Sequence, residues 1–319
     1  MNAGVPLGLS SGLCWGAADF FGGIQSRRLP ALTVAFWSQL AGALALAIAL
    51  AIEGVRPAAT GIAWGLAAGV GSGCALVLFY RSLAEGTMSM VAPISACGAI
   101  VPVAAALLTG NQPGILAALG VLATIAGVIL VSRPHTPARF APPAVEGDQA
   151  RPASPASSAR GGRRVVAMAL GSALGFGLFY VFVDAGAAST AGTAATTGAV
   201  AAAGTAGSHG SPLWVIAGAR MSSLAILSMI ALVSRRSALR WPGRRTGAVA
   251  LVGIGDTGAN LLFAYAATTG NLAVVGVLGS LYPVATVVLA RWLLRERLSG
   301  GQNVGVVLAL TGVVLLAAA

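Results

Sequence analysis

Lysine is absent from this chain and acidic residues are scarce: eight Asp and Glu stand against nineteen arginines in 319 residues. Only 8% of the residues are charged while 57% are hydrophobic, too little polar material for the water-facing shell of a soluble fold this size. Without lysine there is no Ser–Lys pair, and no HExxH, paired-carboxylate or ATP-binding motif occurs; the GxSxG match at Gly8–Gly12 falls inside an apolar run, not on a strand-to-helix turn. An intramembrane enzyme is therefore a weak reading. A membrane scaffold or sensor would carry a soluble effector domain, and no stretch of this sequence reads as one. The three cysteines, Cys14, Cys74 and Cys97, lack CxxC spacing and fall inside apolar stretches, as small packing residues do. His135 and His209 stand alone, so no metal site and no cofactor is expected. The sequence pI near 11.3 invites a nucleic-acid reading, but the arginines are scattered between apolar runs and set orientation rather than form a binding surface. No nucleic-acid partner is expected.

What the chain has in abundance is long apolar runs. Ten occur, at roughly 5–24, 31–52, 61–80, 88–109, 114–132, 165–183, 212–233, 247–266, 272–292 and 301–318. A helix needs ~20 mostly apolar residues to cross ~30 Å of hydrocarbon, and these runs are too long and too rich in Ala, Leu and Gly for barrel strands. The first run has no basic segment ahead of it and reads as a span rather than a removable signal. The expectation is an all-α integral membrane protein with ten transmembrane helices, multi-pass in the inner or plasma membrane, with lipid around it.

The sequence also repeats itself. LVLFYRSLAEG at 76–86 returns as LLFAYAATTG at 261–270, VPVAAALL at 101–108 as YPVATVVL at 282–289, and GVLATIAGVILV at 120–131 as GVVLALTGVVLL at 305–316. The offset stays between 181 and 185 residues, so the chain is two copies of one unit, 1–132 and 165–319. Between them, 133–164 is rich in Pro, Ala, Ser and Arg and reads as a disordered linker. The stretch 185–210 is rich in Ala, Gly and Thr, lacks large apolar side chains and reads as a flexible insertion. Five spans per copy make the second copy enter the membrane from the opposite side, giving inverted repeats with a cavity at their interface, the signature of a secondary transporter.

Sidedness follows from the arginines. Seventeen of the nineteen lie in odd-numbered loops, Arg56 alone in an even one, and Arg220 within a span. The positive-inside rule puts the odd loops in the cytoplasm and both termini outside. In a cysteine-free variant, a cysteine introduced in 133–164 should therefore resist a membrane-impermeant thiol reagent in intact cells, and one in 185–210 should react. The reverse labelling pattern would overturn the orientation.

The segment LYPVATVVLARWLLRERLSGGQNVGVVLALTGVVLL, at 281–316, resembles the EamA domain of the drug/metabolite transporter superfamily through Pro283, Glu296-Arg297, Gly305 and Gly312. The first copy resembles it through Trp15-Gly16, Gly86, Val91-Ala92-Pro93, Pro102, Gly120 and Gly127. It departs where the family usually carries an acid after the fourth span, since here the chain reads Gly110-Asn111-Gln112. The resemblance implies two inverted five-helix EamA repeats, a central substrate cavity and alternating access. It also implies a small-molecule substrate drawn from amino acids, nucleotide-related metabolites, sugars and drugs. Members generally keep both termini in the cytoplasm, against the arginine count.

Residues for the chemistry are few. Asp19, Arg220 and Asp256 sit well inside spans, the last two roughly 12–14 Å deep at 1.5 Å per residue. Burial there costs at least ~2.5–3.5 kcal/mol unless compensated, so all three should face the interior. Two readings stand: a structural Arg220–carboxylate pair, or a site where Arg220 receives an anionic group and an aspartate takes up a proton or a cationic group. Asn260 falls one turn after Asp256, and Trp15 lies four residues before Asp19. Trp37 and Gln39 on the second span, with Tyr282 on the ninth, complete the expected substrate-binding set. Pro93, Pro102 and Pro283 are expected hinges or kinks. Glu296, between Arg295 and Arg297, reads as a loop-anchoring charge. Glycines at 4, 8, 12 and 16, and at 61, 65, 69 and 73, mark faces for close helix packing, static or sliding. The function expected is secondary transport, with protons as candidate coupling ions, against an uncoupled facilitator, in a monomer or homodimer.

Overall fold

An unpaired backbone N–H or C=O is costly in hydrocarbon, so an apolar chain satisfies each within its own helix. The computed structural model describes residues 4–54, 57–108, 114–131, 155–196, 212–233, 240–269, 278–279 and 281–317. These form helices and turns, with no strand among the described residues. The first half contributes α1 (Gly4–Ser26), α2 (Ala31–Glu53), α3 (Ala59–Glu85), α4 (Met88–Ala96), α5 (Ile100–Leu108) and α6 (Ile115–Val131). The second contributes α7 (Pro155–Thr196), α8 (Pro212–Val233), α9 (Thr246–Thr269), α10 (Tyr282–Leu293) and α11 (Gly300–Ala317).

Five helical stretches are long and apolar enough to span a membrane: Ala31–Glu53, Ala59–Glu85, Gly161–Val183, Leu213–Val233 and Gly243–Phe263. Met88–Pro102, Ile115–Val131, Tyr282–Leu293 and Gly300–Leu316 are shorter apolar helices. α1 has 23 residues, long enough, but its glycines, serines and Asp19 dilute its hydropathy. The chain is thus a multi-pass helical membrane protein, while ten full-length spans are more than length and composition among the described residues establish. Its outer surface is apolar: Ile52 is 81% exposed, and Leu44, Leu122 and Leu232 are each more than half exposed, a surface that suits lipid and not water.

Two expectations are corrected. The run 88–109 is not one helix; a single 3₁₀ turn at Cys97–Ala99 divides α4 from α5. Its counterpart in the second half is helical at 278–279, turns at Leu281 and restarts at Tyr282. Pro102 and Pro283 therefore lie in the first turns of α5 and α10, where a missing N–H deletes no helical bond. They start helices after a break instead of kinking one, and only Pro93 sits inside a helix. The second correction concerns α7, whose 42 residues run ~63 Å at 1.5 Å per residue. It takes in residues 155–164, read as linker, and extends to Thr196, within the stretch read as an insertion. A lack of large apolar side chains argues against burial, and alanine favours helix whether buried or not. Most of the linker, 133–154, lies outside the described residues, as do 197–211.

The halves are interwoven. α3 packs along α7 and α8, and α9 packs along α1 and α2, so the third helix of each half lies on the first two of the other. α6 and α11 pack against each other. The glycine rows face these contacts: Gly12 and Gly16 of α1 meet residues 278–286, and Gly65, Gly69 and Gly73 of α3 meet α8. At Gly127 a Cβ would lie 2.7 Å from both the Gly305 carbonyl oxygen and the Ala309 Cα. Gly127→Leu should therefore cost ~1–3 kcal/mol of stability by overpacking, read as a lower Tm of purified protein. Gly114→Ala, where nothing lies within 4 Å of the added carbon, should leave Tm unchanged.

Candidate functional site

An arginine inside a bundle needs acceptors for five N–H groups and a counter-charge. Arg220 of α8, only 7% exposed, finds three acceptors, one of them the counter-charge, on helices of either half. One terminal nitrogen donates to the Gln39 amide oxygen on α2. The other donates to the Asp256 carboxylate on α9 and, at 3.3 Å, to the Thr257 hydroxyl. Thr257 in turn donates to the Gly42 carbonyl at 3.1 Å. Gly42 is required there, because a Cβ would come within 2.6 Å of that hydroxyl and 2.8 Å of the Gly253 oxygen. Asn260 donates to the Asp256 backbone carbonyl at 2.7 Å, so the shared face expected for this pair is present. The result is a charge-neutral cluster that joins α2, α8 and α9.

Asp19 stands apart from that cluster yet close to it. α1 lies against α9, tied by the Ser11 hydroxyl donating to the Ala259 carbonyl at 2.8 Å, and Ala18 approaches Gly255. This brings the half-buried Asp19 carboxylate into the field of Asp256. Among the described residues no hydrogen bond or ion pair reaches Asp19. Around it stand three tyrosines that feel its charge: Tyr80 of α3, Tyr180 of α7 and Tyr282 at the start of α10. Tyr80 packs over Gly22. Trp15 lies one turn before Asp19 and packs on Phe263, with ring centres 5.6 Å apart. Tyr180 is desolvated by surrounding protein yet 42% exposed, and the Asp256 side chain is 35% exposed. Neither is therefore sealed inside the helix bundle.

Of the residues read from sequence, Trp15, Asp19, Gln39, Arg220, Asp256, Asn260 and Tyr282 come together. Trp37 does not. Its indole donates to the Arg240 carbonyl at 3.2 Å and its ring meets Trp241 edge-on at 4.7 Å, an anchor between α2 and the segment before α9. Residues two apart on a helix point to nearly opposite sides, so Trp37 and Gln39 could not share one face. The sequence reading missed Tyr80, Tyr180, Thr257 and Phe263. Aligning LSSGLCWGAADF at 9–20 with LGSALGFGLFYV at 170–181 sets Phe176 against Trp15 and Tyr180 against Asp19, which would have exposed Tyr180.

Two related, interwoven helical halves with ionisable residues held between them define a membrane transporter by class. This chain belongs to the EamA-like transporter family, whose family model matches residues 2–133 and 163–318. A solved structure described only as "Crystal structure of protein" superposes with a TM-score of 0.59 at 16% identity, covering 98% of this chain and 95% of its own. At that identity the likeness speaks for the fold alone. No curated protein matches the chain.

Proposed function

We propose that this protein is a secondary transporter of the plasma membrane that carries a small organic substrate by alternating access, with ten spans in two inverted repeats and with Asp19 as its coupling residue. One observation carries the reading: of Asp19 and Asp256, the second is neutralised by Arg220, while Asp19 has no donor among the described residues. An unpaired carboxylate at membrane depth is tolerable when it holds a proton or a cation. Asp19 can hold a proton in one half of the cycle and a cationic group of the substrate in the other. Trp15, Tyr80, Tyr180 and Tyr282 offer that group ring faces as well as the carboxylate. Both terminal nitrogens of Arg220 are engaged, with Gln39 on one side and Asp256 and Thr257 on the other, so it serves as a framework residue rather than an anion receptor.

Ligand-induced thermal stabilisation of the purified protein across amines, amino acids and anionic metabolites tests this. A binder at a hundred times its Kd stabilises by about 2.7 kcal/mol. Amine-bearing compounds should raise Tm in wild type and fail to do so in Asp19→Asn. Stabilisation by anions alone, equal in both proteins, would sink the cationic reading and return Arg220 to the site.

A further inference from the structure

The segment after α10 reaches across to the other half. Glu296, whose side chain is 9% exposed, accepts from the Met88 N–H at 3.0 Å and the Arg27 guanidinium at 3.2 Å on one oxygen, and from the Ser89 N–H at 2.9 Å on the other. Met88 and Ser89 open α4, where free N–H groups attract an anion. Thr87 occupies the N-cap position without capping through its side chain, so the carboxylate of the second half does that work for the first. Arg27 binds in addition the Leu83 and Gly86 carbonyls at the end of α3, at 3.4 and 3.2 Å. Behind Glu296, Arg295 takes a left-handed φ of 53°, rare for a side chain of that size. There the Leu294 and Glu296 N–H groups both return to the Ala290 carbonyl, at 3.1 and 3.4 Å. The turn aims the carboxylate at α4. All of this lies on the arginine-rich side, where Arg245 adds a weaker tie to the Gln25 amide at 3.3 Å.

The corresponding place in the first half, Gly110-Asn111-Gln112, carries no acid; its structure lies outside the described residues. We infer that Glu296 is a one-sided latch: it fastens the α3–α4 junction and Arg27 to the second half, holds the arginine-rich entrance shut, and biases the resting protein toward opening on the opposite side. The inference rests on the alternating-access reading. In the cycle the latch must release before the arginine-rich side opens, and release separates the loop after α1 from the segment after α10.

Spin labels on Arg28→Cys and Arg297→Cys, both exposed and neither in the latch, report that separation in a background with Cys14, Cys74 and Cys97 replaced by Ser. Distances are measured by pulsed electron resonance in lipid nanodiscs at acidic and alkaline pH. Wild type should be mainly short. Glu296→Ala should shift the ratio toward the long distance by about tenfold or more, since three donors lose a charged acceptor. Arg27→Ala, which leaves α4 capped, should shift it by roughly threefold and carries the test if Glu296→Ala does not fold. A lower Tm with an unchanged distance distribution would make Glu296 a structural cap and overturn the latch, leaving alternating access intact if wild type itself shows two populations. A single population in every protein and at every pH would overturn opening on this side altogether, and the latch with it.

Discussion

Asp19→Asn protein should insert and fold like wild type, and in proteoliposomes its uptake should fall to background with no remaining response to an imposed proton gradient. The amide keeps the shape of the side chain and asks for less compensation in a poorly solvated interior than a carboxylate does, so nothing in folding opposes the change. What it removes is a carboxylate that has no fixed partner among the described residues and can alternate between neutral and charged forms. Asp256 cannot substitute, because its carboxylate is held by the Arg220 guanidinium, which also binds Gln39 and Thr257. The pH profile separates this from simple loss of affinity. If Asn weakened substrate binding alone, raising substrate would restore uptake with its pH dependence. If Asp19 carries the proton, the residual flux at high substrate is flat with pH. Uptake in Asp19→Asn with the wild-type rate and profile would remove Asp19 from the mechanism.

The fold was largely legible in the sequence because hydropathy and repetition act over long stretches. Ten runs and a constant offset survive any local irregularity, and the interleaving of the halves puts the glycine rows where the spacing suggested. What escaped was local. The break at Cys97–Ala99 has no charged or polar residue to announce it, and an apolar run reads the same whether a helix is continuous or interrupted by one turn. The length of α7 escaped because composition reports burial and lipid exposure, while backbone propensity decides helix. At the site, ionisable residues were conspicuous because each is costly at depth, so Asp19, Arg220 and Asp256 stood out unaided. Aromatic residues carry no such cost, and Tyr80 or Tyr180 looks like any span residue until the halves are superposed. Pairing was the least legible feature. Nothing in the order Asp19, Arg220, Asp256 tells which carboxylate the guanidinium takes, and that choice separates framework from function.

Arg220→Leu alone should cost about 3–5 kcal/mol, the usual consequence of stranding the partner of a buried ion pair, and is expected to yield little folded protein. Asp256 would then face Asp19 with no cation between them, and the Gln39 and Thr257 oxygens would lose a donor, although Thr257 keeps its bond to Gly42. Adding Asp256→Ala should restore most of the loss, since a buried pair replaced as a unit by apolar residues is often neutral. The remaining defect is Gln39, an amide left without its arginine at ~1–3 kcal/mol, and Gln39→Leu should remove it. Thermal unfolding should therefore rank Arg220→Leu lowest, the Arg220→Leu/Asp256→Ala double variant well above it, and the triple variant near wild type. Transport gives the second half of the argument. With Asp19 untouched, the double and triple variants should still take up substrate with a wild-type pH profile, because in the proposed mechanism the cluster they lose holds α2, α8 and α9 together and meets neither proton nor cargo. A double variant that folds but carries nothing would mean that the guanidinium or its carboxylate meets the substrate directly, and the division between a framework pair and a working aspartate would fail.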